Sequence, residues 1–146
     1  PKGDDKYVWD KNPYPVTEET PAFRRLSFAN ITAKNVNAAA GYFYGLAEMF
    51  VEDITFDNVY ISMADDAKEG CPAMLAGIEP MRQKGFFIRN SKNFVINNVT
   101  VVGVDGNVFE LENCEDIVFS NCKMKKNRSE NGKLIEQVGS KDCVVK

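Results

Sequence analysis

One short pattern recurs through this chain and limits its fold more than any other feature. Leu26-Ser27-Phe28-Ala29-Asn30-Ile31-Thr32-Ala33 and Ile54-Thr55-Phe56-Asp57-Asn58-Val59-Tyr60-Ile61 obey one rule: apolar, any, apolar, any, Asn, apolar, any, apolar. Phe94-Val95-Ile96-Asn97-Asn98-Val99-Thr100-Val101 and Ile117-Val118-Phe119-Ser120-Asn121-Cys122-Lys123-Met124 obey it again, and Cys143-Val144-Val145 begins a further copy. Alternation with period two makes each copy a pair of very short strands with one apolar face. The dipeptide ending in Asn separates them, because Asn enters the left-handed backbone region that a sharp corner needs and its amide can hydrogen-bond locally. Copies spaced irregularly, about 20 to 40 residues apart, predict stacked rungs and not a sheet of hairpins.

The rest of the chain follows that reading. Residues 1–20 hold three of the six prolines and several charges without periodicity, which predicts an extended arm, with the repeats occupying 21–146. Rung one runs from Phe23 to about Asn37, Tyr42-Phe43-Tyr44 adds a third strand, and a turn at Gly45 to Phe50 leads into rung two at Ile54 to Met63. Residues 64–85 form a long excursion, within which Met74 to Ile78 is a candidate strand, and the chain re-enters at Phe86-Phe87-Ile88-Arg89. The tetrapeptides Asn90-Ser91-Lys92-Asn93, Asn113-Cys114-Glu115-Asp116 and Gly139-Ser140-Lys141-Asp142 are matching turns. An all-β right-handed parallel β-helix of about four circuits, each with Asn corners, is the expected fold. Its first circuit would present an unpaired backbone edge. Further circuits earlier in the native chain, in preference to the arm, are expected to cover it.

Composition excludes several function classes. The net charge of −3 is spread over both signs with no basic block, so nucleic acid is not an expected partner. No apolar run reaches the length of a membrane span and no signal peptide opens the chain, whose first residue is Pro1 and not Met. The compartment, bacterial cytoplasm or outside the cell, is left open. The four cysteines do not read as a disulfide framework. Cys122 falls in the column of Ile31, Val59 and Val99, and Cys143 in that of Leu26, Ile54, Phe94 and Ile117, where a thiol acts as a small hydrophobe. There is no His and no Cys-x-x-Cys, so neither a metal nor a cofactor is expected.

The segments FANITAKNV, GLAEMFVEDITFDNVYIS and NSKNFVINNVTV resemble the C-terminal circuits of glycoside hydrolase family 28, the polygalacturonase-like pectin-degrading enzymes. The likeness covers roughly residues 21–124 and includes the Gly45-Leu46-Ala47-Glu48 turn before the Ile54-Thr55-Phe56-Asp57-Asn58-Val59 strand pair. It implies hydrolysis of galacturonan with inversion, carried by Asp residues in Asn-Thr-Asp and Asp-Asp motifs, one acting as general acid and the others activating water. It also implies Gly-His-Gly and Arg-x-Lys motifs. These are missing: no His exists, Asn-Thr-Asp is absent, and Arg82-Gln83-Lys84 matches Arg-x-Lys in letters but not in context. Asp4-Asp5 and Asp65-Asp66 are acidic pairs in Lys-containing loops and are read as solvated, so no catalytic residue is assigned.

The resemblance places the substrate cleft on the sheet that precedes the Asn90-type turn. Its outward residues would be Phe87 and Arg89, then Glu110 and Glu112, then Glu136. Arg89 is the candidate partner of a galacturonate carboxylate, while the carboxylates that follow would repel a polyanion. Tyr7 and Trp9, with Lys6 and Tyr14, are a second candidate platform for sugar stacking, against the alternative that they pin the arm to the body. Asn30 and Asn98 head Asn-x-Ser/Thr triplets but are needed at corners, and Asn127 heads another in a polar loop.

The leading reading is the C-terminal β-helix portion of a polygalacturonase-like hydrolase. It would complete the solenoid without supplying catalytic groups, its partners being a pectin-type saccharide and the N-terminal remainder of the same β-helix. Two other classes compete: a carbohydrate-binding module and a structural, trimeric or filamentous solenoid.

Overall fold

The computed structural model describes residues 11–72 and 78–146. Among them there is no helix, and every pairing between named strands is parallel. Eight strands form: β1 (Arg24–Val36), β2 (Ala39–Tyr44), β3 (Val51–Met63), β4 (Lys84–Val102), β5 (Phe109–Ser120), β6 (Lys123–Lys125), β7 (Ile135–Val138) and β8 (Val144–Val145). The sheet order is β1-β3-β4-β5-β7, with β2 and β6 on β4 and β8 on β5. Each repeated segment therefore lies against the next copy of itself. Residues 11–20 carry no strand, and the candidate strand at Met74 to Ile78 falls almost entirely outside the described residues.

The register is the one the repeats require. Leu26 pairs with Ile54, Ile54 with Phe94 and Phe94 with Ile117. The long strands are bent, and the bends sit in columns. Asn30, Asn58, Asn98 and Asn121 all take left-handed φ between 51° and 56°. A second column, Arg25, Asp53, Asn93, Asp116 and Asp142, does the same at 52° to 59°. A third holds Asn90, Asn113 and Gly139. The matching turns are thus one inward residue (Ser91 or Cys114, both 0% exposed) between flanking left-handed corners.

The corner amides bond differently from the local pattern that Asn usually adopts. Asn98 donates to the Oδ1 of Asn58 at 3.2 Å, and Asn58 donates to that of Asn30 at 2.8 Å. In the neighbouring column Asn113 donates to Asn90 at 2.7 Å, and Asn90 to the Gly45 carbonyl at 2.9 Å. These ladders run from repeat to repeat, each amide pointing toward the earlier copy. Stacked amides of this kind add hydrogen bonds along the stacking direction on top of the strand pairing.

Gly45 stands where Asn90 and Asn113 stand. A Cβ there would come within 2.2 Å of the Asn90 carbonyl oxygen, so only glycine admits the close approach. Residues 46–50 bulge out between Gly45 and Val51 and the register resumes unchanged, since Tyr44 pairs with Arg89 and Val51 with Ser91. The longer excursion between β3 and β4 is tied back by Gln83, whose buried side chain donates to the Ala64 carbonyl at 2.6 Å.

The inward columns make the core: Ile54, Phe56, Phe86, Ile88, Phe94, Ile96, Phe109, Leu111, Ile117 and Phe119 are each at most 5% exposed. Phenylalanines stack along it, Phe28 on Phe56 at 5.0 Å and Phe86 on Phe109 at 5.1 Å between ring centres. Such contacts add to the area buried. The cysteines are all free thiols. Burial pushes the Cys114 thiol up to about 11, where it is neutral and unreactive at physiological pH.

Candidate functional site

Strand alternation decides which side chains face outward. Gly41 and Phe43 of β2 share a face with Phe86, Ile88, Phe109 and Leu111, so the residues between them turn away from the core. Two outward columns result, Tyr42, Phe87, Glu110, Glu136 and Tyr44, Arg89, Glu112, Val138. All of these except Tyr42 line a shallow groove of about 250 Å³.

The groove has two chemically distinct halves. On β2 and β4 it is aromatic: Tyr42 lies 4.7 Å from Tyr44 and 4.9 Å from Phe87, measured between ring centres. The Arg89 guanidinium sits over the Tyr44 ring at 5.5 Å, a cation–π contact. On β5 and β7 it is acidic, with Glu110, Glu112 and Glu136. Arg89 joins the halves through Glu112, at 3.4 Å, and only 14% of its side chain meets solvent. Glu136 takes Lys133 at 2.6 Å, and Glu110 has the Asn107 amide at 3.5 Å. The Tyr42 phenol is pushed well above its ordinary value, first by burial, then by the Tyr44 hydroxyl beside it and the charge of Glu110. It remains a neutral hydrogen-bonding group at any physiological pH.

Phe87, Arg89, Glu110, Glu112 and Glu136 thus lie together on one face. Tyr42 and Tyr44 belong to the same face and were missed, although aligning Gly45 with Asn90 would have set Tyr44 beside Arg89. Tyr7 and Trp9 lie outside the described residues, as do Asp4 and Asp5. Asp65 is paired with Arg128 at 2.6 Å and has 96% of its side chain in solvent, and Asp66 is exposed. Lys84 donates to the Asp105 carbonyl at 2.7 Å, and Arg82 is exposed. The Asn127 amide donates to the Gly106 carbonyl at 2.7 Å, in keeping with a structural role. Among the described residues no cluster of His, Cys, Asp or Glu is placed to hold a metal.

A second hollow, about 230 Å³, opens at the β1 end of the core and is lined by Phe28, Ile31, Ala33, Phe43 and their neighbours. Its lining is mostly apolar, because these are the inward columns seen from the side where no other described strand pairs with β1. Comparison with models of protein families, with curated proteins and with solved structures finds no match.

Proposed function

We propose that this chain is the C-terminal part of a right-handed parallel β-helix of the polygalacturonase-like glycoside hydrolases. In this reading it completes a solenoid acting on pectin and supplies no catalytic carboxylate. The observation that carries the reading is the state of the inward columns at β1. Leu26 is 36% exposed and Ile31 37%, whereas Ile54 and Phe94, next in the Leu26 column, are 0%, and Val59 and Val99, next in the Ile31 column, are 3% and 0%. Apolar side chains in core columns, at a parallel edge that no other described strand pairs with, call for another parallel rung on top. The Asn ladder is compatible with an earlier rung: Asn30 accepts from Asn58 just as Asn58 accepts from Asn98. The Asn corners and the Gly45 turn support the family, and the lack of any His is consistent with catalytic motifs lying in earlier rungs.

The test is hydrolysis of polygalacturonate, read as new reducing ends. The native protein containing these residues is expected to release them, and residues 1–146 alone are not. A native protein that binds or cleaves no galacturonan would remove this reading. A carbohydrate-binding module is the second reading, favoured by the aromatic floor of the groove. Saccharide binding by residues 1–146, without any native hydrolase activity, would select it.

A further inference from the structure

We propose that the groove beside Arg89 binds uncharged sugar rings and discriminates against uronate rings, so that on a pectin-like polymer it takes methyl-esterified residues in preference to free-acid ones. The proposal rests on the pectin reading only for the choice of sugar. Tyr44 and Phe87, with Tyr42 packed beside both, give a floor on which the C–H face of a pyranose ring can lie. Around it stand acceptors for sugar hydroxyls, the carboxylates of Glu110 and Glu112.

Among the described residues the groove offers no uncommitted cation for a uronate. Of these, Arg89 is the one cation in its lining, and it is already held between the Tyr44 ring and the Glu112 carboxylate. Lys133, at the rim, is held by Glu136. Among the described residues, three lining carboxylates thus face the committed Arg89 and the rim Lys133, an excess of one negative charge. A uronate seated on the rings would bring a further negative charge within a few ångströms of that set, where salt screens weakly. Its methyl ester has the same ring and linkage without the charge.

The experiment is calorimetric titration of the full chain, at low salt, with trigalacturonate and with its methyl ester. The ester is expected to bind about tenfold tighter or more, the size of effect that one uncompensated charge contact produces. Glu112→Gln, at an exposed position, releases Arg89 and is expected to shift the preference toward the free acid. Equal or tighter binding of the free acid by the unaltered chain would overturn the proposal. Binding of neither probe, or an ester-to-acid ratio that Glu112→Gln leaves unchanged, would overturn it as well. Failure here is separable from failure of the family reading, which is decided by hydrolysis of the polymer by the native protein.

Discussion

The two ends of the stack are built from the same repeat and finished in different ways. At the β1 end the inward columns hold Leu26, Phe28 and Ile31, as large as the residues of the middle repeats, and Phe28 and Ile31 line a hollow there. At the other end the columns change chemistry. Cys122 replaces Val99, Cys143 replaces Ile117 and Gln137 replaces Leu111, although Ile135 and Val145 stay aliphatic, Val145 at 66% exposure. The last strands shrink to Ile135–Val138 and Val144–Val145. A loop closes over that side, with Arg128 donating from its backbone to the Val104 carbonyl at 2.8 Å and from its side chain to that of Gly103 at 3.0 Å. One end is tapered, and the other keeps side chains as large as those of the middle repeats.

The largest effect that sharpens this contrast lies within a single column. Ile54→Ala, at a fully buried site, is expected to cost about 2–5 kcal/mol in a urea denaturation. Leu26→Ala, one repeat away, should cost only about 1 kcal/mol, because roughly a third of that side chain never leaves water. Adding a rung ahead of β1 should raise the Leu26→Ala cost toward the interior value. Equal costs in the present chain would break the comparison.

A smaller difference separates the corner asparagines. Both Asn58 and Asn30 sit at left-handed φ, so Ala imposes a similar backbone penalty of about 1–2 kcal/mol at each. Asn58 has two ladder bonds and Asn30 one, so Asn58→Ala should cost about 1 kcal/mol more. Gly at either site should remove the backbone part and leave the ladder part.

The smallest effect is electrostatic. Glu52 of β3 links three successive repeats, meeting Lys92 at 2.9 Å and Arg24 at 3.3 Å. Those bonds, Lys92 first, hold its carboxyl below the usual glutamate value and raise the Lys92 amine. A lowered acid stabilises the fold above its unfolded-state value and loses that contribution as the pH falls through the folded one. The raised amine loses its share only as the pH climbs through the lysine range. The difference in denaturation midpoint between the parent chain and Glu52→Gln should be open near about pH 6, close on acidification below about 4.5, and shrink in salt. A difference that persists at acid pH would assign Glu52 another role.

Much of this was legible in the sequence, for a physical reason. Asn and alternating apolar residues act locally, so the corners at Asn30, Asn58, Asn98 and Asn121 and the packing of Cys122 and Cys143 against the core follow from short stretches. Parallel pairing of the copies followed from their similarity. What was not legible depends on neighbours far apart in the chain. The Asn58–Asn30 amide ladder needs the axial direction, which no single repeat contains. The pairing of Arg89 with Glu112, and the seating of Tyr42 and Tyr44 beside Phe87 and Arg89, depend on register across two insertions. Because residues 46–50 and the excursion between β3 and β4 bulge out without disturbing the pairing, they hide that register from a reading by spacing.

The proposal that a further rung covers the β1 end is tested most directly by the intact mass and N-terminal sequence of the protein isolated from its native source. The account predicts a longer chain whose residues ahead of Pro1 repeat the apolar alternation and place Asn or Asp in the Asn30 column. A native product that starts at or near Pro1 and leaves Leu26 and Ile31 uncovered would contradict it.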